Sequence, residues 1–250
     1  MSNSTSKTQF DDDGFIVIRN FLPTEEFATL TRNVDRFIRD VVPGLSSAFA
    51  FYEDRERPET LKQLSHMEDD SFFADYRSHP LWLQTAKTLL GEDVAVQGIE
   101  WFNKPPNTDH VTPPHQDNYY FCLTPPRVLT MWLALEAIDE ENGCLRYIKG
   151  SHADGRRPHN RTSTLGFSQG LADFGQKDTD REVAIIAQPN DLLIHHGYTI
   201  HRADANTSST RHRRSFAMVI KGVSCQRDEA AYQTYLEASN QQRTELVGET

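Results

Sequence analysis

A chain of 250 residues, 37% hydrophobic and 10% aromatic, carries enough apolar material for a packed core, which argues against disorder; the length suits one all-β barrel domain. A formal net charge of −10 disfavours nucleic acid or an anionic membrane as partner, because neither phosphate polyanion is drawn to such a surface. Three scattered cysteines (Cys122, Cys144, Cys225) without a CxxC pair, no apolar leader and no membrane-length apolar run lead to the expectation of a soluble cytoplasmic protein, with neither a disulfide framework nor a structural zinc site.

Residues 1–10 are polar and expected to be loose. "GFIVIRNFL" (14–22) is β-branched and aromatic and reads as a strand. "PTEE" then opens a helix, with Thr24 as the expected N-cap and two acids at the positive end of the dipole. Phe27, Leu30, Val34, Phe37, Ile38 and Val41 form one apolar stripe, and Pro43-Gly44 ends it. A second helix fits "SHPLWLQTAKTLLG", capped by Ser78, with Pro80 in its first turn and Gly91 just past its end.

Beyond Gly91 the texture changes to short apolar runs: "DVAVQGIEWFNK", "RVLTMWLALE", "CLRYIKG", "EVAIIA", "DLLIHHG" and "RRSFAMVIKG". Turn residues such as Pro105-Pro106-Asn107, Glu141-Asn142-Gly143 and Pro189-Asn190-Asp191 separate them. Runs of this length and spacing predict a mainly β barrel or sandwich with flanking helices, not parallel βαβ units. A long Gly-, Arg- and Asp-rich connection, 153–181, is expected to be a lid or substrate loop, and 228–250 a polar surface helix fraying over 240–250.

The chemistry concentrates in two places. "TPPHQDNYYF" sets His115 and Asp117 two apart, on one face if the segment is a strand, beside three aromatics suited to excluding water. "NDLLIHHGYTIHRADAN" offers His195, His196 and His201, any of which would complete two imidazoles and one carboxylate. Such a set occupies one face of an octahedral Fe(II) and leaves positions open for a bidentate co-substrate and dioxygen. Further on, Arg213 and Ser215 share a face, a fork and a hydroxyl suited to a terminal carboxylate, and Trp132 sits in an apolar run where it can wall a pocket.

The ordered segments "NKPPNTDHVTPPHQDNYYF", "TMWLALEAIDEENGCLRYIKGSH", "NDLLIHHGYTIHRADAN" and "RRS" resemble the phytanoyl-CoA dioxygenase family of Fe(II)- and 2-oxoglutarate-dependent oxygenases. "DDDGFIVIRNFL" and "LWLQTAKTLLGEDVAV" extend the resemblance over nearly the whole chain. It implies a double-stranded β-helix, a jelly-roll, cupin-like barrel forming one domain over 1–250. His115, Asp117 and His201 would hold Fe(II), His201 being favoured because its run to Asn206 matches. Arg213 and Ser215 would grip the distal carboxylate of 2-oxoglutarate, Trp132 would line its site, and Lys62 would contribute to it. The gap from His201 to the arginine is one residue longer than the family pattern, which keeps Arg211 and Arg214 as alternates. His152 reads as a turn residue.

The implied reaction uses O2 and 2-oxoglutarate to hydroxylate an unactivated C–H of a small metabolite, releasing succinate and CO2. Retention of the carboxylate at Asp117 argues against halogenation. Rival readings are a cupin-like metal enzyme doing non-redox chemistry and a binding protein without turnover. Specificity is expected from 153–181, where Arg156, Arg157, His159 and Arg161 could meet an anionic group, and from 49–70.

Overall fold

The computed structural model describes residues 3–46, 48–164 and 167–247. From residue 3 the expected loose leader is instead a helix, α1 (Asn3–Asp13), anchored by Phe10, which is buried in the core. Strand β1 (Phe15–Ile18) follows, then α2 (Thr24–Arg36). Thr24 does not cap α2: Pro23 holds the N-cap position and no side chain bonds the free amides. The stripe continues through a π turn over Phe37–Val41 and a 3-10 turn over Val42–Gly44, where the proline and glycine end it. Leu30, Val34 and Phe37 are its buried members.

Two short strands, β2 (Ala50–Tyr52) and β3 (Leu61–Leu64), precede the helices α3 (Ser71–Tyr76) and α4 (Pro80–Leu90). The expected cap at Ser78 is also corrected, since its hydroxyl donates to the Asp75 carbonyl and His79 stands at the N-cap. Gly91 takes the left-handed conformation (φ 72°) that closes α4.

The β region runs β4 (Val94–Phe102), β5 (Thr112–His115), a single helical turn α5 (Asn118–Phe121), β6 (Leu123–Thr124), β7 (Val128–Ala134) and β8 (Leu145–Ile148). The 153–181 connection is not an open loop. It holds the hairpin β9 (His159–Thr164) and β10 (Phe167–Leu171) and a turn of helix, α6 (Gln176–Thr179). The chain ends through β11 (Glu182–Ala184), β12 (Leu192–His196), β13 (His201–Ala203), β14 (Ser215–Gly222), β15 (Gln226–Arg227) and α7 (Glu229–Val247).

A seven-stranded antiparallel sheet in the order β1-β12-β7-β14-β4-β3-β2 faces a four-stranded sheet in the order β11-β8-β13-β5, giving the jelly roll. The larger sheet is covered on both faces, which is why β7 reads as an unbroken apolar run with every residue buried. Side-chain parity separates its faces. Leu129, Met131 and Leu133 of β7, Phe216, Met218 and Ile220 of β14, and Leu192 and Ile194 of β12 pack with Leu30, Val34, Phe73 and Trp82 of the helices. Each such side chain contributes ~1.5–3 kcal/mol by leaving water. The opposite parity sends Thr130, Trp132, His195 and Val219 into the barrel, where they line a cavity.

Candidate metal centre and its cavity

Cross-strand register brings the two imidazoles together: His201, first in β13, pairs with His115, last in β5, and their ring centroids lie 4.2 Å apart. The expectation of His115 and Asp117 on one strand face is corrected. Asp117 follows the end of β5 with helical dihedrals (φ −58°, ψ −39°), and the turn into α5 carries its carboxylate back beneath the imidazoles. Asp117 Oδ1 lies 3.4 Å from His115 Nε2 and 3.5 Å from His201 Nε2, and one ligand atom from each of the three residues falls within 4.8 Å of the others.

The surroundings fix which nitrogens face that point. His115 Nδ1 lies 2.8 Å from the Pro113 carbonyl and His201 Nδ1 3.0 Å from that of Thr199. Each Nδ1 is turned to its carbonyl, which directs each Nε2 towards the Asp117 carboxylate and the point where a cation would bind. Burial, reinforced by His115 and His195, holds His201 well below its ordinary pKa and therefore neutral. Burial alone would raise the Asp117 carboxyl. The His201 imidazole and hydrogen bonds from His115 and His195 outweigh it and hold that carboxyl well below its usual range.

The other Asp117 oxygen is held by Thr130 Oγ1 at 2.5 Å and His195 Nε2 at 2.9 Å, and His195 Nδ1 lies 2.9 Å from the Tyr147 hydroxyl. A relay from Tyr147 through His195 to Asp117 therefore orients the carboxylate. His195, an alternative ligand on spacing alone, is in this way occupied beside the set. His196 has the opposite strand parity; its Nδ1 accepts from Tyr198 N, and burial lowers its pKa to about 4. His152 lies in a 3-10 turn with Nε2 against the Asp11 carbonyl.

The triad opens into a cavity of about 400 Å³. Arg213 and Trp132 line one end, with the guanidinium carbon 5.3 Å from the indole centroid. Arg213 is only 5% exposed, yet its Nε and the buried Ser215 Oγ have no hydrogen-bond partner among the described residues. Burial brings the Arg213 pKa down to about 10, so the guanidinium stays charged at neutral pH. A buried, charged fork whose Nε lacks an acceptor fits a ligand carboxylate.

The longer gap after His201 does not shift this assignment. Asn206 braces the loop by donating to the Lys104 and Arg211 carbonyls, while Arg211 is taken by Asp139 and Glu141, and Arg214 by Glu136 and Asp35. Ser215 is fully buried and is not among the residues that line the cavity. Lys62 is not a wall residue either: its Nζ lies 2.7 Å from His110 Nε2, and burial lowers its pKa to about 8.

The far wall was not foreseen in detail. It combines Gln63, Glu68 and Glu100 from β3, β4 and the turn between α3 and β3 with Tyr120 and with Tyr232 and Tyr235 of α7. The last helix is therefore a cavity wall, not a polar surface helix, and it continues to Val247 through the stretch expected to fray. Among its described residues the 153–181 connection contributes no wall residue. Its hairpin instead backs the wall, with Tyr120 Oη donating to the Gln169 carbonyl and Gln242 of α7 donating to that of Thr162. The basic group expected to meet an anion is committed elsewhere: Arg157 pairs with Asp173 and Asp178, Arg161 with Glu245, His159 stacks on Tyr119, and Arg156 lies over the same ring. Alternation along "QGIEWF" was the signal available for Glu100, whose neighbours Ile99 and Trp101 enter the core.

With the geometry in place, comparison with known proteins is informative. The SnoN epimerase, solved with Fe3+, alpha ketoglutarate and nogalamycin RO, superposes with a TM-score of 0.72 at 19% identity, covering 90% of this chain and 85% of that one. EctD from S. alaskensis, solved with 2-oxoglutarate and 5-hydroxyectoine, gives 0.72 at 18% identity, covering 88% and 76%. The fold is thus the jelly roll that these proteins share.

Within that class, the sequence model for phytanoyl-CoA dioxygenase (PhyH) matches residues 10–215, and the chain belongs to the phytanoyl-CoA dioxygenase family. Peroxisomal phytanoyl-CoA dioxygenase of Bos taurus is 24% identical over 215 residues, covering 80% of this chain and 63% of the relative. Phytanoyl-CoA dioxygenase of Arabidopsis thaliana is 28% identical over 247 residues, covering 84% and 86%. The chain thus spans less than two thirds of the length of the mammalian relatives it matches.

Proposed function

We propose that the protein is an Fe(II)- and 2-oxoglutarate-dependent dioxygenase that hydroxylates an unactivated C–H of a small organic metabolite, using O2 and releasing succinate and CO2. His115, Asp117 and His201 hold the metal. Arg213 takes the distal carboxylate of 2-oxoglutarate, with the buried Ser215 close by in sequence and Trp132 flanking. Iron supplies the oxidative chemistry when bound. The chain itself orients the Asp117 carboxylate through His195 and Thr130, keeps the His201 imidazole neutral, and walls the site with Trp132, Tyr120 and Phe121.

The observation that carries this reading is the buried, unpartnered Arg213 Nε at the end of a cavity that also holds the triad. A metal-dependent isomerase or hydrolase has no use for that guanidinium. Fe(II)-reconstituted protein should convert 2-oxoglutarate to succinate, with Asp117→Ala at background. No succinate above that background from folded, iron-loaded protein contradicts the reading.

The small cavity and the net charge of −10 favour a small-molecule partner over nucleic acid. Among the described residues no helix is long and apolar enough to cross a membrane. Three buried free cysteines favour a reducing compartment, which we take to be the cytoplasm.

A further inference from the structure

The wall facing away from Arg213 carries two carboxyl groups and no compensating cation. Glu100 projects inward from β4 and accepts a hydrogen bond from Gln63. Burial first, and then the like charges of Asp117 and Glu68, raise its pKa to about 8, so it holds a proton at neutral pH until a cation takes that proton's place. Glu68 Oε2 accepts the Ile99 amide at 3.0 Å, which fixes its carboxylate beside the same strand. Neither makes an ion pair among the described residues, although Arg227 also reaches the cavity. That cation is already committed, bonded to Glu229 at 2.9 Å and lying 4.1 Å over the Tyr232 ring.

An independent feature faces these acids. Tyr120 and Tyr235 meet edge to face at 5.6 Å and Tyr235 lies 6.1 Å from Tyr232, so three electron-rich rings line the same cavity as the acids. Glu100 and Tyr235 line the same cavity, and the acid adds to the effects of burial and Tyr232 that raise the Tyr235 phenol. Carboxyls beside aromatic rings favour a cation, by charge once its approach draws the proton from Glu100 and by the ring quadrupole. They repel an anionic headgroup, and 2-oxoglutarate itself, towards Arg213.

We propose that the substrate carries a cationic nitrogen, an amine or amidine, seated between Glu100 with Glu68 and the rings of Tyr120, Tyr232 and Tyr235. This rests on the dioxygenase reading, so the two are tested in sequence. Protein loaded anaerobically with Fe(II) and 2-oxoglutarate is first checked for the visible metal-to-ligand charge-transfer band. A matched panel of short linear compounds ending in ammonium, hydroxyl or carboxylate is then assayed aerobically for stimulated succinate release.

The ammonium members should stimulate about tenfold more than the carboxylates, and Glu100→Gln should erase most of that preference, as expected when one partner of a desolvated charge pair is neutralised. Glu68→Gln, which keeps its amide-accepting oxygen, should weaken it less. Stimulation by hydroxyl or carboxylate members instead, persistence of the ammonium preference in Glu100→Gln, or no stimulation by any ammonium member while the band is intact would overturn the proposal. Absence of the band in the wild type removes the dioxygenase reading, and this inference with it.

Discussion

The two ends of the cavity carry opposite kinds of group, a guanidinium at one and carboxyls at the other. At one end Arg213 is buried beside Trp132 with an unpartnered Nε; at the other Glu100 and Glu68 sit without a cation. Between them the triad is internally satisfied, with each Nδ1 and one Asp117 oxygen held by the protein. The difference shows that coordination geometry is paid for by the fold itself, whereas both ends leave charge for a ligand to complete. Arg211 and Arg214, one residue or two from Arg213, make the same point by contrast, since nearby carboxylates neutralise them.

The strongest break comes at the centre. Asp117→Ala or His201→Ala should abolish retention of Fe(II), measured as bound iron after desalting, and reduce succinate release to background. At the basic end, Arg213→Ala should weaken 2-oxoglutarate by about a hundredfold, the cost expected when a buried charged partner is truncated, readable in an anaerobic titration. His195→Phe keeps a ring but removes the donor to Asp117, and should weaken iron by about 10–100-fold, measured by competition with a chelator.

Arg214→Ala breaks only half-exposed pairs with Glu136 and Asp35, and should change 2-oxoglutarate affinity by less than about threefold. At the acidic end the smallest effect is a pH dependence in the metal-free protein. Glu100 is held above its ordinary value of 4.5, at about 8, so the folded state keeps a proton that the unfolded chain releases. Its contribution to stability is full below about 4.5, declines above it, and is gone once pH passes about 8. Melting temperatures of wild type minus Glu100→Gln, followed across that window, should show the decline.

Much of this was legible in the sequence because period-2 apolar runs and turn residues specify a sheet protein before any packing is known. The triad was legible as residue types in order, and Arg213 as the member of R-x-S. The route to the triad was not: the strand geometry assumed for His115 and Asp117 gives way to a turn, because β5 ends at His115. Lys62 is held by His110, a partner that the sequence alone does not reveal.

The helix caps failed where short-range chemistry competed. Ser78 bonds back to Asp75 and Pro23 takes the position before Thr24. The acidic and aromatic wall was hidden because it is assembled from β3, β4, α5 and α7, far apart in the chain, and α7 shows no apolar stripe strong enough to announce a buried face. The arginines of 153–181 looked available only because their acidic partners could not be placed from sequence.

The most direct test of the triad and its basic end is an anaerobic titration of Fe(II)-loaded protein with 2-oxoglutarate, read by the visible charge-transfer band. A saturable band is expected in the wild type, with about a hundredfold more 2-oxoglutarate needed in Arg213→Ala. No band in folded, iron-loaded protein, or the same midpoint in Arg213→Ala as in wild type, would contradict it.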